Sequence, residues 1–113
     1  SEEERNEFND KLENLKDAIA AKEDEELLNL PKEHTAILDQ LEEVLKQRLK
    51  RRSEIKQKIE KFRKITGSSG LDFKQSMYYS ERSVVEKKRL EKINWQIEKI
   101  ERAIFDRSIS REA

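Results

Sequence analysis

Gly67-Ser68-Ser69-Gly70 holds both glycines of a 113-residue chain and divides its longest charged stretch in two. On either side, leucine and isoleucine recur at helical intervals, so the tetrapeptide reads as a turn between two long helices folded back on each other. Four residues form an ordinary connection between antiparallel helices. Gly67 is placed to end the first helix as a left-handed cap, and Ser69 or Asp72 to cap the start of the second. The rival is one continuous parallel coiled coil through the turn. Two interior glycines would cost it roughly 1 kcal/mol each, and the apolar phase is not kept across them.

The helix before the turn, helix B, is expected over about 32–66, with Pro31 in or beside its first turn. Its stripe runs Leu38, Leu41, Leu45, Leu49, Arg52, Ile55, Ile59 and Phe62, and the step from Leu45 to Leu49 relaxes the heptad phase. Helix C, about 71–110, answers with Leu90, Ile93, Ile97, Ile100 and Ile104 in three-four alternation. The helix–helix seam is therefore expected from Leu41, Leu45, Ile55, Ile59 and Phe62 against that row. Helix C has a second row, Met77, Val84, Trp95, Phe105 and Ile109, on another face. A hairpin needs only one seam, so this row is the expected partner or dimer interface, covered by the remaining helix or by a second copy.

That remaining helix, helix A, is expected over about 3–28. Phe8, Leu12, Leu15 and Ile19 make one stripe, which fails at Lys22 and Glu26, so its last turns should pack less firmly. It should end near Asn29-Leu30-Pro31, because the residue before proline is disfavoured in the α region.

Composition selects the same architecture. Only 34% of the chain is apolar and 44% is charged, too little apolar material for a thick core but enough for helices joined along narrow stripes. Net charge is zero, yet residues 1–30 carry −7, 31–66 carry +5 and 67–113 carry +2, so the first helix complements the second. No apolar run approaches a bilayer span, and the opening Ser-Glu-Glu-Glu is the reverse of a secretory signal. The chain reads as a soluble segment of a longer intracellular protein, in nucleus or cytoplasm, with no membrane contact.

Chemistry-bearing constellations are few. There is no cysteine and one histidine, His34, so a metal site would need carboxylates alone. No glycine-rich phosphate loop is present, and a helical rod offers no enclosed pocket for tuning carboxylates. The expectation is no enzyme and no cofactor. The basic run Lys46 to Lys58, with Lys50, Arg51 and Arg52 at its centre, could meet phosphates, but no aromatics are interleaved with it. Pairing with acidic helix A is the reading preferred to nucleic acid. Arg52, on the stripe, is expected to lay its methylenes along the seam and hold its guanidinium in water.

The segments LENLKDAI and LLNLPKEH within Leu12 to His34, followed by LKQRLKRRSEIKQKIEKF from Leu45 to Phe62, resemble the CREPT-type coiled-coil domain of RNA polymerase II CTD-interaction proteins. That resemblance implies helical dimerisation. The hairpin from Thr35 to Phe105 also looks like the antiparallel finger of Rho-family GTPase effectors, without that family's Gly-Ala-Glu-Asn element. No functional residue is carried over from either. The combined expectation is an all-α, elongated antiparallel hairpin with an acidic third helix packed on it, acting in homodimerisation or scaffolding. A small GTPase or another protein is the alternative partner.

Overall fold

The computed structural model describes residues 1–112, as three long helices: α1 (Glu2–Leu28), α2 (Leu38–Thr66) and α3 (Phe73–Glu112), with one 3-10 turn at Thr35–Ile37. The molecule measures 61 × 26 × 15 Å. Its length is that of α3 alone, since 40 residues at about 1.5 Å each span about 60 Å.

Local chemistry fixes the ends. Ser1 Oγ accepts from the Glu4 N–H at 3.2 Å, and Glu2, Glu3 and Glu4 sit at the positive end of the α1 dipole. Of the two candidate caps for α3, Asp72 takes the role. Its Oδ1 accepts from the Gln75 N–H at 2.8 Å while Gln75 Oε1 accepts from the Asp72 N–H at 3.3 Å, a reciprocal capping box.

The turn departs from expectation in one respect. Gly67 is right-handed at φ −82°, its N–H donating to Arg63 O at 3.0 Å, and Gly70 is the residue at φ +95°. Ser68 continues the wind-down by bonding Ile65 O through both its N–H and its hydroxyl, so the chain reverses only at the second glycine.

The start of the second helix also differs, lying at Leu38 and not near residue 32. Residues 29–34 must turn the chain back, and Pro31 serves that turn, with the His34 N–H donating to Pro31 O at 2.9 Å. The buried guanidinium of Arg107 donates to Leu30 O at 2.7 Å and holds the loop against α3.

The core lies between α2 and α3. Ile55, Ile93 and Ile97 are buried together, with Leu45, Ile59 and Leu90 packed around them. Ile37, Leu41 and Ala103 form a second cluster near the α1–α2 loop, flanked by Leu27, Leu28 and Ile104. Ile100 is wholly buried, and the Phe62 and Tyr79 rings lie 6.0 Å apart at the turn end. The expected seam therefore assembles, and only Leu49 of the α2 stripe turns outward, at the phase slip. Arg52 is half-buried and donates to Asn94 Oδ1 of α3 at 3.2 Å, so its head bridges the helices instead of resting in water.

Candidate interaction surface

Helix α1 runs parallel to α3 and antiparallel to α2. Asn6 meets Tyr78, Asp10 meets Arg82 and Asp24 meets Gln96, all at a constant offset of 72, while Glu13, Asp17 and Asp24 reach Lys58, Arg51 and Arg48 in descending order. These contacts are polar. Asp10, Asp17 and Asp24 recur every seven residues, and on a helix that spacing aligns them in one ridge.

The ridge fits a matching row of bases. Arg51 grips Asp17 with two bonds of 3.0 Å, and Arg48 grips Asp24 with bonds of 2.7 and 2.9 Å. Both pairs have the fork geometry that makes Arg–carboxylate bonds strong. Gln96 also donates to Asp24, which is only 2% exposed. Toward the α1 N-terminus lies a denser node. Arg89, buried on α3, contacts Asp10 at 3.0 Å, Glu13 at 2.9 Å and Glu86 of its own helix at 2.6 Å. Arg82 holds the other side of Asp10 at 2.7 Å, and Lys58 holds Glu13 at 2.7 Å. Acids and bases thus balance in a partly buried network, which is the condition under which buried charge is tolerated.

The ionisation of these groups follows their neighbours. The Arg82 hydrogen bond, opposed by burial and aided by Arg89, holds Asp10 below the ordinary carboxylate range. Burial pushes Glu13 upward, but the Lys58 bond and the charges of Lys58, Arg89 and Arg51 outweigh it, and the net shift is downward. Arg51 is raised: burial works against its charge, and the Asp17 bond more than offsets that. Arg82 is raised chiefly by its bond to Asp10.

This docking overturns the packing expected for α1. Its stripe of Phe8, Leu12, Leu15 and Ile19 faces solvent, with Phe8 66% and Leu15 57% exposed. At about 100° per residue the stripe lies opposite the aspartate ridge, so burying one presents the other. The inward side of the middle turns offers Ala20 and Ala21, which cannot fill the gap spanned by the arginines. A cleft of about 450 Å³ remains there, with Asp17, Arg51, Arg89 and Gln96 among its walls. The last turns, expected to be loosest, make the apolar contact of α1, with Leu27 and Leu28 against Ile37, Leu41 and Ala103.

Nor does α1 cover the second row of α3. Met77, Val84, Trp95, Phe105 and Ile109 are each at least half exposed. Trp95 lines an open groove together with Ala21 and Glu25 of α1, with the Lys99 ammonium 5.6 Å from its ring centre and 2.9 Å from Glu25. The row therefore reaches solvent, and whole-face burial under the acidic helix does not occur, because that helix sits over Arg82, Arg89 and Gln96, roughly 150° round α3 from the centre of the row.

The basic centre is divided among three directions. Arg51 faces α1, Arg52 faces α3 and Lys50 is exposed, so the three do not form one patch. Charge complementarity between α1 and α2 is realised through Arg48, Arg51 and Lys58. The sequence reading named none of the acids that carry it, nor Arg82 and Arg89. Their signal is the seven-residue recurrence of Asp10, Asp17, Asp24 and of Arg82, Arg89, Gln96, visible only when charged residues are phased as apolar ones are. Among the described residues, no group of three or more His, Cys, Asp or Glu is disposed to hold a metal ion, and no helix is long and apolar enough to cross a membrane.

Comparisons of the chain with models of protein families, with curated proteins and with solved structures return no match.

Proposed function

We propose that this chain is a protein-association module in which the α2–α3 hairpin is a platform and α1 is a helix held on it to be read from outside. The observation that carries the proposal is the two-faced placement of α1. Its charged ridge is spent on the platform, and its heptad-spaced apolar stripe is left to solvent. A helix needing only a covering layer would bury the stripe, since each Leu turned inward gains about 1.5–3 kcal/mol over full exposure. Apolar residues aligned on one exposed line are a docking feature more often than an accident.

The five exposed residues on α3 support a second reading, self-association, which is also what the resemblance to helical dimerisation domains implies. An aromatic such as Trp95, 64% exposed, is the residue type that anchors interfaces. Sedimentation equilibrium over a wide concentration range tests it. A dimer lost in a Trp95→Ser, Phe105→Ser variant supports self-association through α3, and a strict monomer at all concentrations removes it. Scaffolding within a longer intracellular protein remains the setting proposed for either mode.

A further inference from the structure

Charge, and not only apolarity, distinguishes the outward side of α1. From Arg5 to Lys22 that side carries Arg5, Lys11, Lys16 and Lys22 around the apolar stripe, all four exposed. Of the acids in the same span, Asp10, Glu13 and Asp17 are turned to the platform. Glu7 stands at the edge, 3.4 Å from Lys11. Along the stripe itself the acidic helix thus presents bases, and the exposed acids of the same side, Glu4, Glu23 and Glu26, stand beyond its ends.

We infer that this face is a coiled-coil half-site for a helix of another chain that bears acidic residues beside its apolar seam. The inference rests on the association reading and names its partner class. The stripe spans only about 60° of the helix, from its four-three-four spacing. That is the narrow seam a second helix covers, whereas a membrane surface takes a broader apolar face. Within the seam, Lys11 and Lys16 occupy the two flanks, and Arg5 and Lys22 close its ends in line.

The same positions favour an acidic partner over a second copy. In a parallel, in-register pair, Lys11 of one helix lies beside Lys16 of the other, and Arg5 and Lys22 each meet themselves. In an antiparallel pair that aligns the stripes, Leu12 faces Leu15, Phe8 faces Ile19, and Arg5 is brought against Lys22. Either way self-pairing sets cation against cation, and a partner with glutamates at those sites turns every such contact favourable.

The test uses the 113-residue chain and two synthetic peptides of about four heptads, each with leucine at the seam, one flanked by glutamate and one by lysine. Fluorescence anisotropy at low salt should show the glutamate peptide bound at least about tenfold more tightly than the lysine peptide. A Lys11→Glu, Lys16→Glu variant should reverse that preference. Leu12→Gln with Leu15→Gln should abolish binding while circular dichroism stays unchanged, because both side chains point away from the platform. Equal affinity for the two peptides, or glutamate-peptide binding that survives Leu12→Gln, Leu15→Gln, overturns the inference but leaves the association reading standing. A dimer of the chain lost in Leu12→Gln, Leu15→Gln overturns it in favour of a second copy, and stripe-dependent binding to phosphatidylserine vesicles without peptide binding overturns it in favour of a membrane. Failure of both peptides, with no dimer at any concentration, overturns the inference and the association reading together.

Discussion

Replacing Leu15 and Asp24 separately measures which face of α1 holds the bundle together. Leu15 is 57% exposed, so less than half of the roughly 1.5–3 kcal/mol available to a fully buried leucine is realised there. Leu15→Gln is therefore expected to cost no more than about 1 kcal/mol, against about 2–5 for truncating a leucine in a packed seam. Asp24 presents the opposite case. It is 2% exposed and bound by both arms of the Arg48 fork and by Gln96, and Asp24→Ala leaves the largely buried Arg48 charge without its partner. Breaking such a pair costs about 3–5 kcal/mol. Urea titrations followed by circular dichroism give both numbers, and the two variants should differ by about 2 kcal/mol or more, Asp24→Ala being the weaker. A Leu15→Gln variant as destabilised as Asp24→Ala would refute the reasoning, because it would place the apolar stripe, and not the aspartate ridge, against the platform.

Three further outcomes follow from the same geometry. Asp10 and Glu13 titrate below their ordinary values of 3.8 and 4.5, so the stability they contribute is present at neutral pH and is lost as pH falls through that range and below. Urea midpoints should drop over that interval, and an Asp10→Asn, Glu13→Gln variant should lose much of the dependence. Gly70→Ala should cost about 1–2 kcal/mol through its left-handed φ of +95°, whereas Gly67→Ala, at a helical φ of −82° but with its new Cβ 3.3 Å from Arg63 O, should cost less, about 1 kcal/mol at most; thermal melts separate the two. Trp95→Ser should leave the domain folded, with a stability change under about 1 kcal/mol, since the side chain is 64% exposed; a collapse of the helical signal would mean that Trp95 is core.

How much of this was legible in the sequence divides along apolar and polar lines. The α2–α3 hairpin was, because its seam is a row of leucines and isoleucines whose period needs no knowledge of the partner. So was the turn, although the left-handed residue is the second glycine and not the first. The placement of α1 was not. Its apolar stripe is as regular as a core stripe, and an apolar stripe is ordinarily read as facing inward. What overrides that rule is the match between two charged rows, Asp10–Asp17–Asp24 on one helix and Arg48, Arg51, Arg82 and Arg89 on the others. Each row alone resembles a solvated face, and the match exists only once three helices are set in register. The α1–α2 loop is ambiguous in the sequence for a related reason. Pro31 suits a helix start as well as a turn, and the decision rests on Arg107, some 76 residues away, holding the loop carbonyls.

The most direct measurement of the central claim is the alkylation rate of single cysteines placed around α1, in a chain that has none of its own. Leu15→Cys and Ile19→Cys should react nearly as fast in the folded protein as in urea. Ala20→Cys and Ala21→Cys, on the side turned to the platform, should react several-fold more slowly when folded and recover in urea. The opposite pattern, with residues 15 and 19 protected and 20 and 21 open, would contradict a helix that docks by its charges and presents its apolar stripe.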